Sequence, residues 1–379
     1  MRILFMTNDL GGGGAEKVLV NLANRLAQRG HEVTVRALVN QGVNREFLSK
    51  EVKYEYVFDR GFRGINFLHK LPHQWIYQKV CYGQFDVIVP YLHGVLTKIA
   101  SYAPNSQKKI AWLHGKAFKD GKLFRITKNK NELREYFSQY DRVVCVSEFV
   151  KDSLVQLSGI TDKVRVIYNT FDVSGIINSS KVKVYHKEDD SNIIRLVTVG
   201  KLNTVKGYPR LIRSIKDLIQ KDQLNIELTI VGEGKQRKEL EEMIHDLQLG
   251  SCIRLVGFDI NPYKYIVDSD LFVCSSYTEG FSSVVAESLI IGTPVITTDC
   301  AGMKEMLGEN NEYGLIVENS DEGLYTGLKQ LLNDKELLLR YKEKARERAI
   351  FFEPEATVGA VEALFKEIIE KDQVSRELS

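Results

Sequence analysis

The stretch Glu279-Gly280-Phe281-Ser282-Ser283-Val284-Val285-Ala286-Glu287, continued by Ser288-Leu289-Ile290-Ile291-Gly292-Thr293-Pro294, decides how this chain is read. Ahead of it, Leu271-Phe272-Val273-Cys274-Ser275-Ser276 is an apolar run of strand length. Behind it, Ser283 to Ile291 reads as a helix, and Pro294 through Thr298 as the next strand. Strand, loop, helix and strand make one crossover of a parallel sheet. Glu279 falls on the loop and Glu287 just over one turn into the helix. Between them lie the amides of a helix N-terminus, which attract an anion because unpaired N–H groups and the helix dipole point at it.

That pattern suits a sugar nucleotide. Glu287 can accept from two ribose hydroxyls, the Ser283 and Val284 amides can hold a phosphate, and Glu279 can reach the hydroxyls of a second sugar. The E-x7-E stretch, with EGF at its head and GTPVI behind it, resembles the donor-binding signature of the family 4 retaining glycosyltransferases. The resemblance implies an α/β chain with the GT-B fold, two Rossmann-like doubly wound domains facing each other across a cleft. It is strongest from Ile194 to Val317 and weakest from Gly42 to Gln84.

Size and composition agree with a two-domain protein. The chain has 379 residues, 44% apolar and 27% charged, enough for two full cores. Its net charge of +2 hides a division: residues 60–130 carry 13 Lys/Arg against 2 Asp/Glu, a balance of +11, and the remainder carries −9. A basic region on an acidic chain points to an anionic partner, such as phosphate groups or a membrane surface. The five cysteines are scattered, odd in number and free of any C-x-x-C, as expected of reduced thiols in a cytoplasmic protein. No apolar run approaches the ~20 residues needed to cross a bilayer. The expectation is a cytoplasmic protein at the inner face of the cytoplasmic membrane.

In the first domain, Arg2 to Met6 reads as a strand, Gly11 to Gly14 as a glycine-rich turn, and Ala15 to Ala27 as a helix. Glu32 to Arg36 reads as the second strand. A dinucleotide fold competes here, with its pyrophosphate on that turn. The third glycine of G-x-G-x-x-G is missing, since Glu16 stands there, and Arg36 rather than an acid is taken to end the second strand. The string GGAEK is similar instead to the family's first-domain loop, which implies that Gly13 and Gly14 face the donor diphosphate. Residues 61–80 interleave Phe62, Phe67, Leu71, Trp75 and Tyr77 with Arg63, Lys70 and Lys79. That mixture suits a membrane interface, RNA, or an ordinary amphipathic helix with a solvated face. Nothing else reads as an RNA module, so no nucleic acid is expected. Lys109 to His114 reads as a strand ending on His114, and the resemblance implies that His114 touches the transferred sugar. A basic segment follows, Lys116, Lys119, Lys122, Arg125, Lys128 and Lys130, placed on the acceptor side.

The first domain is expected over 1–175, a linker over 176–192 and the nucleotide-sugar domain over 193–354. The C-terminal helix, 355–379, is expected to pack back on the first domain. The second domain opens with the strand Ile194 to Val199 and the loop Gly200-Lys201-Leu202-Asn203-Thr204-Val205-Lys206-Gly207. By resemblance this loop sets Lys201 and Lys206 against the donor diphosphate. Lys201 stands where the family usually has Arg, so the charge is kept and the bidentate fork is lost. Gly257 and Phe258, after the strand Cys252 to Val256, are implied to line the base pocket; Tyr263 and Lys264 cap the following helix or brush the base. Asp268-Ser269-Asp270 has the spacing of a D-x-D metal site, but it precedes its strand, and no metal is expected.

The catalytic set is therefore His114, Lys201, Lys206 and Glu279. The donor-binding set is Gly13, Gly14, Gly257, Phe258, Gly280, Phe281, Ser282, Ser283, Val284 and Glu287. The resemblance implies metal-independent, retaining transfer of a sugar, from a UDP-sugar by expectation, to an acceptor hydroxyl, without any cofactor. The basic first domain suggests a lipid-linked saccharide acceptor in capsular or other surface-polysaccharide assembly, with peripheral contact to anionic membrane. A sugar phosphorylase, a non-catalytic nucleotide- or carbohydrate-binding protein and a nicotinamide-dependent oxidoreductase are the alternatives.

Overall fold

The computed structural model describes residues 1–115, 129–183 and 192–377. The chain forms two compact units, residues 1–171 with 354–379, and residues 172–353. Residues 116–128 of the basic segment and 184–191 of the expected linker lie outside the described residues. The remainder of that linker differs from the expectation. Asp172 caps the helix Val173–Ser180 by accepting from the Gly175 amide at 3.2 Å, and this helix belongs to the second unit.

Among the described residues the first unit holds seven parallel strands: β1 (Arg2–Thr7), β2 (Glu32–Val39), β3 (Lys53–Phe58), β4 (Val87–Pro90), β5 (Lys108–Leu113), β6 (Arg142–Cys145) and β7 (Val164–Val166). Their order is β3-β2-β1-β4-β5-β6-β7. The central strands are covered on both faces and therefore read as continuous apolar runs; Ile3, Leu4 and Phe5 of β1 are wholly buried. β2 runs past the expected end at Arg36, because Val39 still pairs with Phe58 of β3. Arg36 is thus mid-strand and buried, bonded to Glu55 at 2.5 and 2.9 Å and stacked 3.6 Å from the Tyr82 ring. Its charge is spent on the fold.

The helix Pro354–Glu377 belongs to this unit. It buries Val358, Val361, Leu364, Phe365 and Ile368. Its Glu362 takes Arg29 at 2.6 Å and His31 at 2.8 Å, and Glu367 pairs with Arg142. Residues 61–80 form a 3-10 turn, Ile65–Lys70, and a short helix, His73–Val80, separated by Leu71-Pro72. Proline lacks the amide needed to continue a helix across that point. Leu68, Ile76 and Val80 point inward, whereas Phe62, Phe67, Leu71 and Trp75 are exposed.

Among the described residues the second unit holds six parallel strands: β8 (Ile194–Val199), β9 (Ile226–Val231), β10 (Ile253–Gly257), β11 (Leu271–Cys274), β12 (Val295–Thr298) and β13 (Leu315–Val317). The order β10-β9-β8-β11-β12-β13 is doubly wound. The connections leave β8 toward one edge and β11 toward the other, so the order reverses between these two neighbours. In such sheets ligands gather beyond the carboxyl ends of the strands at that reversal. The five cysteines are free thiols, and no helix among the described residues is long and apolar enough to cross a membrane.

Candidate active site

The loop after β8 carries Lys201 and Lys206 to the reversal point. Asn203 caps its 3-10 turn, accepting from the Val205 amide at 3.1 Å. Gly207 turns the chain with φ +66°, and a Cβ there would overlap the Ser275 carbonyl oxygen, so only glycine lets the β8 and β11 loops meet. Two bonds tie them: Ser275 Oγ donates to the Lys206 carbonyl at 2.9 Å, and the Tyr277 amide donates to the Val205 carbonyl at 2.8 Å.

The tie brings the charges together. Lys206 Nζ donates to Glu279 Oε1 at 2.7 Å, and Ser276 Oγ donates to the same oxygen at 2.6 Å. Both charged side chains are mostly buried, 21% and 12% exposed. Burial works to lower the Lys206 pKa, but the Glu279 carboxylate outweighs it and leaves the ammonium above its usual value. Lys201 is exposed and makes no ion pair among the described residues.

Behind this pair stands the helix Ser283–Ile291, with Ser282 at its N-cap in extended geometry. Ser282 is only 2% exposed, yet its Oγ has no hydrogen-bond partner among the described residues and caps no amide. A buried hydroxyl left in this state at a helix N-terminus is suited to an arriving anion. Val284 lines a cavity of about 10 Å³ together with Lys206, Ser276 and Tyr208. Gly280 packs under Gly302, and the Phe281 ring is in the core, so this loop offers backbone more than side chain. Glu287 is buried at 4% and accepts from Tyr263 Oη at 3.0 Å. Burial, then the Glu287 carboxylate, push the Tyr263 hydroxyl far up and keep it a donor.

Gly257 ends β10 and Phe258 follows it. The Phe258 ring is half exposed, and Glu233, after β9, reaches toward Gly257 while paired with Arg237. Asp270 of the D-x-D triplet accepts from the Arg195 amide at 2.8 Å at the amino end of the sheet, opposite the site.

In the first unit His114 follows β5. Burial, helped by His93, lowers its pKa to about 3, so the ring is neutral at ordinary pH. The Tyr91 ring lies 4.6 Å away, and His114 Nε2 is buried without a partner among the described residues. Gly13 and Gly14 open the helix Gly14–Gln28. The Glu16 carboxylate stands over Gly13, at the place where a Cβ would sit, and as the end of a flexible side chain it can swing aside. Glu16 is three residues past the cap, the position from which a carboxylate reaches back in a capping box.

The structure therefore joins Lys206, Glu279, Ser282 and Val284 in one place, with Glu287 one turn further along the same helix. Sequence reasoning missed Ser276 and Arg210, which hold the loop, the bond from Tyr263 to Glu287, and His93 beside His114. The Y-L-H-G at the end of β4 repeats the W-L-H-G at the end of β5, and that repeat is a signal by which His93 was findable.

Two family profiles match, Glycosyltransferase Family 4 over residues 12–174 and Glycosyl transferases group 1 over residues 179–348. The chain is 33% identical over 228 residues to an N-acetylgalactosamine-N,N'-diacetylbacillosaminyl-diphospho-undecaprenol 4-alpha-N-acetylgalactosaminyltransferase of Campylobacter jejuni. That match takes in 59% of this chain and 60% of the relative, short of the relative's full length. It is 25% identical to the lipopolysaccharide core biosynthesis glycosyltransferase LpsE of Rhizobium meliloti, over 89% of this chain and 91% of that one. The crystal structure of Anabaena HepE in complex with UDP superposes with a TM-score of 0.76 at 18% identity, covering 97% of this chain and all of that one. Profiles over both halves, relatives and fold agree: the chain belongs to the family 4 glycosyltransferases, on the GT-B fold.

Proposed function

We propose that the protein transfers a sugar from a UDP-sugar to an acceptor hydroxyl, with retention and without a metal ion. The observation that carries this reading is the Lys206–Glu279 pair at the strand-order reversal, backed by a helix N-terminus whose buried Ser282 hydroxyl has no partner among the described residues. As the anomeric C–O bond breaks, both electrons pass to the departing diphosphate. Lys206, Lys201 and the Ser283 and Val284 amides face that charge, and fixed donors of this kind lower a barrier most where water is excluded. Gly13 and Gly14 are proposed as further diphosphate contacts. Glu279 orients the transferred sugar, and His114, neutral, donates to or accepts from one of its hydroxyls. Glu287, held by Tyr263, takes the ribose, and Gly257 and Phe258 take the base. The acceptor oxygen bonds to the anomeric carbon on the face that the diphosphate leaves, and its proton goes to the diphosphate.

The names of the relatives support an acceptor in surface-polysaccharide assembly, and the diphospho-undecaprenol in the Campylobacter name supports a lipid-linked one. The exposed Phe67 and Trp75, with Arg63 and Lys70 nearby and no acid between Asp59 and Asp86, suit an anionic bilayer at the inner face of the membrane. Vesicle binding that ignores anionic lipid and salt refutes that placement. The central test is a panel of nucleotide sugars, read first as a rise in melting temperature and then as transfer to a lipid-linked saccharide. One or more UDP-sugars should stabilise and turn over. Stabilisation with no transfer or donor hydrolysis favours a non-catalytic binding protein. Turnover that requires inorganic phosphate favours a phosphorylase.

A further inference from the structure

Arg210, on the first turn of the helix Tyr208–Gln220, has no exposed surface, and it makes no ion pair among the described residues. All its partners are neutral. Nε donates to the Ser275 carbonyl at 2.8 Å, Nη2 to the Ser276 carbonyl at 2.6 Å and to Thr298 Oγ1 at 3.3 Å, and Nη1 to Asn319 Oδ1 at 2.8 Å. The guanidinium carbon lies 4.0 Å from the centre of the Tyr277 ring. Thr298 Oγ1 donates to the Ser276 carbonyl at 2.6 Å, and Asn319 Nδ2 to the Tyr277 carbonyl at 3.0 Å. Three consecutive carbonyls, of Ser275, Ser276 and Tyr277, are thus gripped by one guanidinium and its two supports.

A buried cation without an anion costs several kcal/mol, and a fold does not need one merely to close a turn. The gripped residues are those that present Glu279: Ser276 Oγ bonds its carboxylate, and the Ser275 hydroxyl holds the loop of Lys206. We propose that Arg210 is a positioning residue of the transferase. It fixes the Ser275–Tyr277 backbone so that Glu279 stands ready for the donor sugar, and it acts through Glu279 without touching ligand. The inference rests on the proposed role of Glu279.

The test is a double-mutant cycle between Arg210→Gln and Glu279→Ala. Its substrate is whichever of UDP-glucose, UDP-galactose and their N-acetylhexosamine counterparts turns over fastest. A misplacement of about 1 Å costs ~100-fold in rate, so Arg210→Gln should lower kcat about 100-fold. In the Glu279→Ala background the same change should lower it less than about 3-fold. Arg210→Lys keeps a cation without the planar fork and should lose about 10-fold; it carries the cycle if the Gln variant does not fold. Equal losses in both backgrounds overturn the proposal, as does an unchanged kcat in Arg210→Gln. A wild-type chain inert toward every nucleotide sugar sinks the proposed function alone. Amide hydrogen exchange then decides the inference: Arg210→Lys should speed exchange at residues 275–280 and not elsewhere in the second unit, and an unchanged pattern refutes it.

Discussion

Replacing Lys206 by Met removes the ammonium and keeps most of the stem. In the free protein Lys206 Nζ bonds Glu279 Oε1 at 2.7 Å, so a diphosphate must share or replace that bond. A hydrogen bond to a charged group contributes ~1.5–3 kcal/mol, which is roughly 10- to 150-fold in Kd. Because a competing partner is given up, the expected loss of UDP affinity lies near the lower limit, about 10-fold. Turnover should suffer more. Charge develops on the leaving diphosphate only as the bond breaks, and one missing donor of that kind costs ~10²–10³ in kcat. Stability falls too, by ~1–3 kcal/mol, since the mostly buried Glu279 keeps Ser276 and loses its cation. The pH sign is definite. The folded-state pKa of Lys206 is raised, so the pair contributes fully below the unfolded lysine value and is lost as pH rises through the folded one. The stability gap between Lys206→Met and wild type should therefore be flat around neutrality and close as pH rises into alkali. Calorimetric titration with UDP, a UDP-release assay and thermal melts at several pH values measure all three. UDP affinity within twofold of wild type, with kcat within fivefold, refutes the placement of the diphosphate at Lys206.

Tyr263→Phe deletes the hydroxyl that Glu287 accepts from. If Glu287 holds the ribose, donor KM should rise about 3- to 10-fold with kcat nearly unchanged, as the loss of one ordinary hydrogen bond implies; an unmoved KM separates Glu287 from the nucleotide. Glu362→Gln should lower the melting temperature at pH 7 by breaking the bonds to Arg29 and His31. Burial opposes ionisation of Glu362, but the His31 and Arg29 bonds prevail and its pKa is lowered. Its stabilisation is present above the unfolded carboxylate value and lost as pH falls through the folded one. The difference between variant and wild type should shrink on acidification below about pH 4, and a gap that persists into strong acid contradicts the assignment.

Much of the site was legible because it is local in the chain. Glu279, Ser282, Val284 and Glu287 are positioned by one loop and one helix, so their spacing alone sets them out. Lys206 was legible for a similar reason, the strand, turn and helix around Gly200 and Gly207. Arg36 misled because a charged residue resembles a strand end, whereas Glu55 and Tyr82, 19 and 46 residues further on, make its burial tolerable.

The sequence by itself determined the two doubly wound units and the carboxylate pair, since apolar runs of strand length, glycine turns and helical periodicity are properties of neighbouring residues. Tertiary structure alone decided which groups those carboxylates meet. Glu279 meets Lys206 across 73 residues and Glu287 meets Tyr263 across 24. Arg210 reaches Ser275 across 65 residues and Asn319 across 109. Such partnerships follow from the strand order that sets β8 beside β11, and no pattern along the chain encodes a distance between residues that far apart.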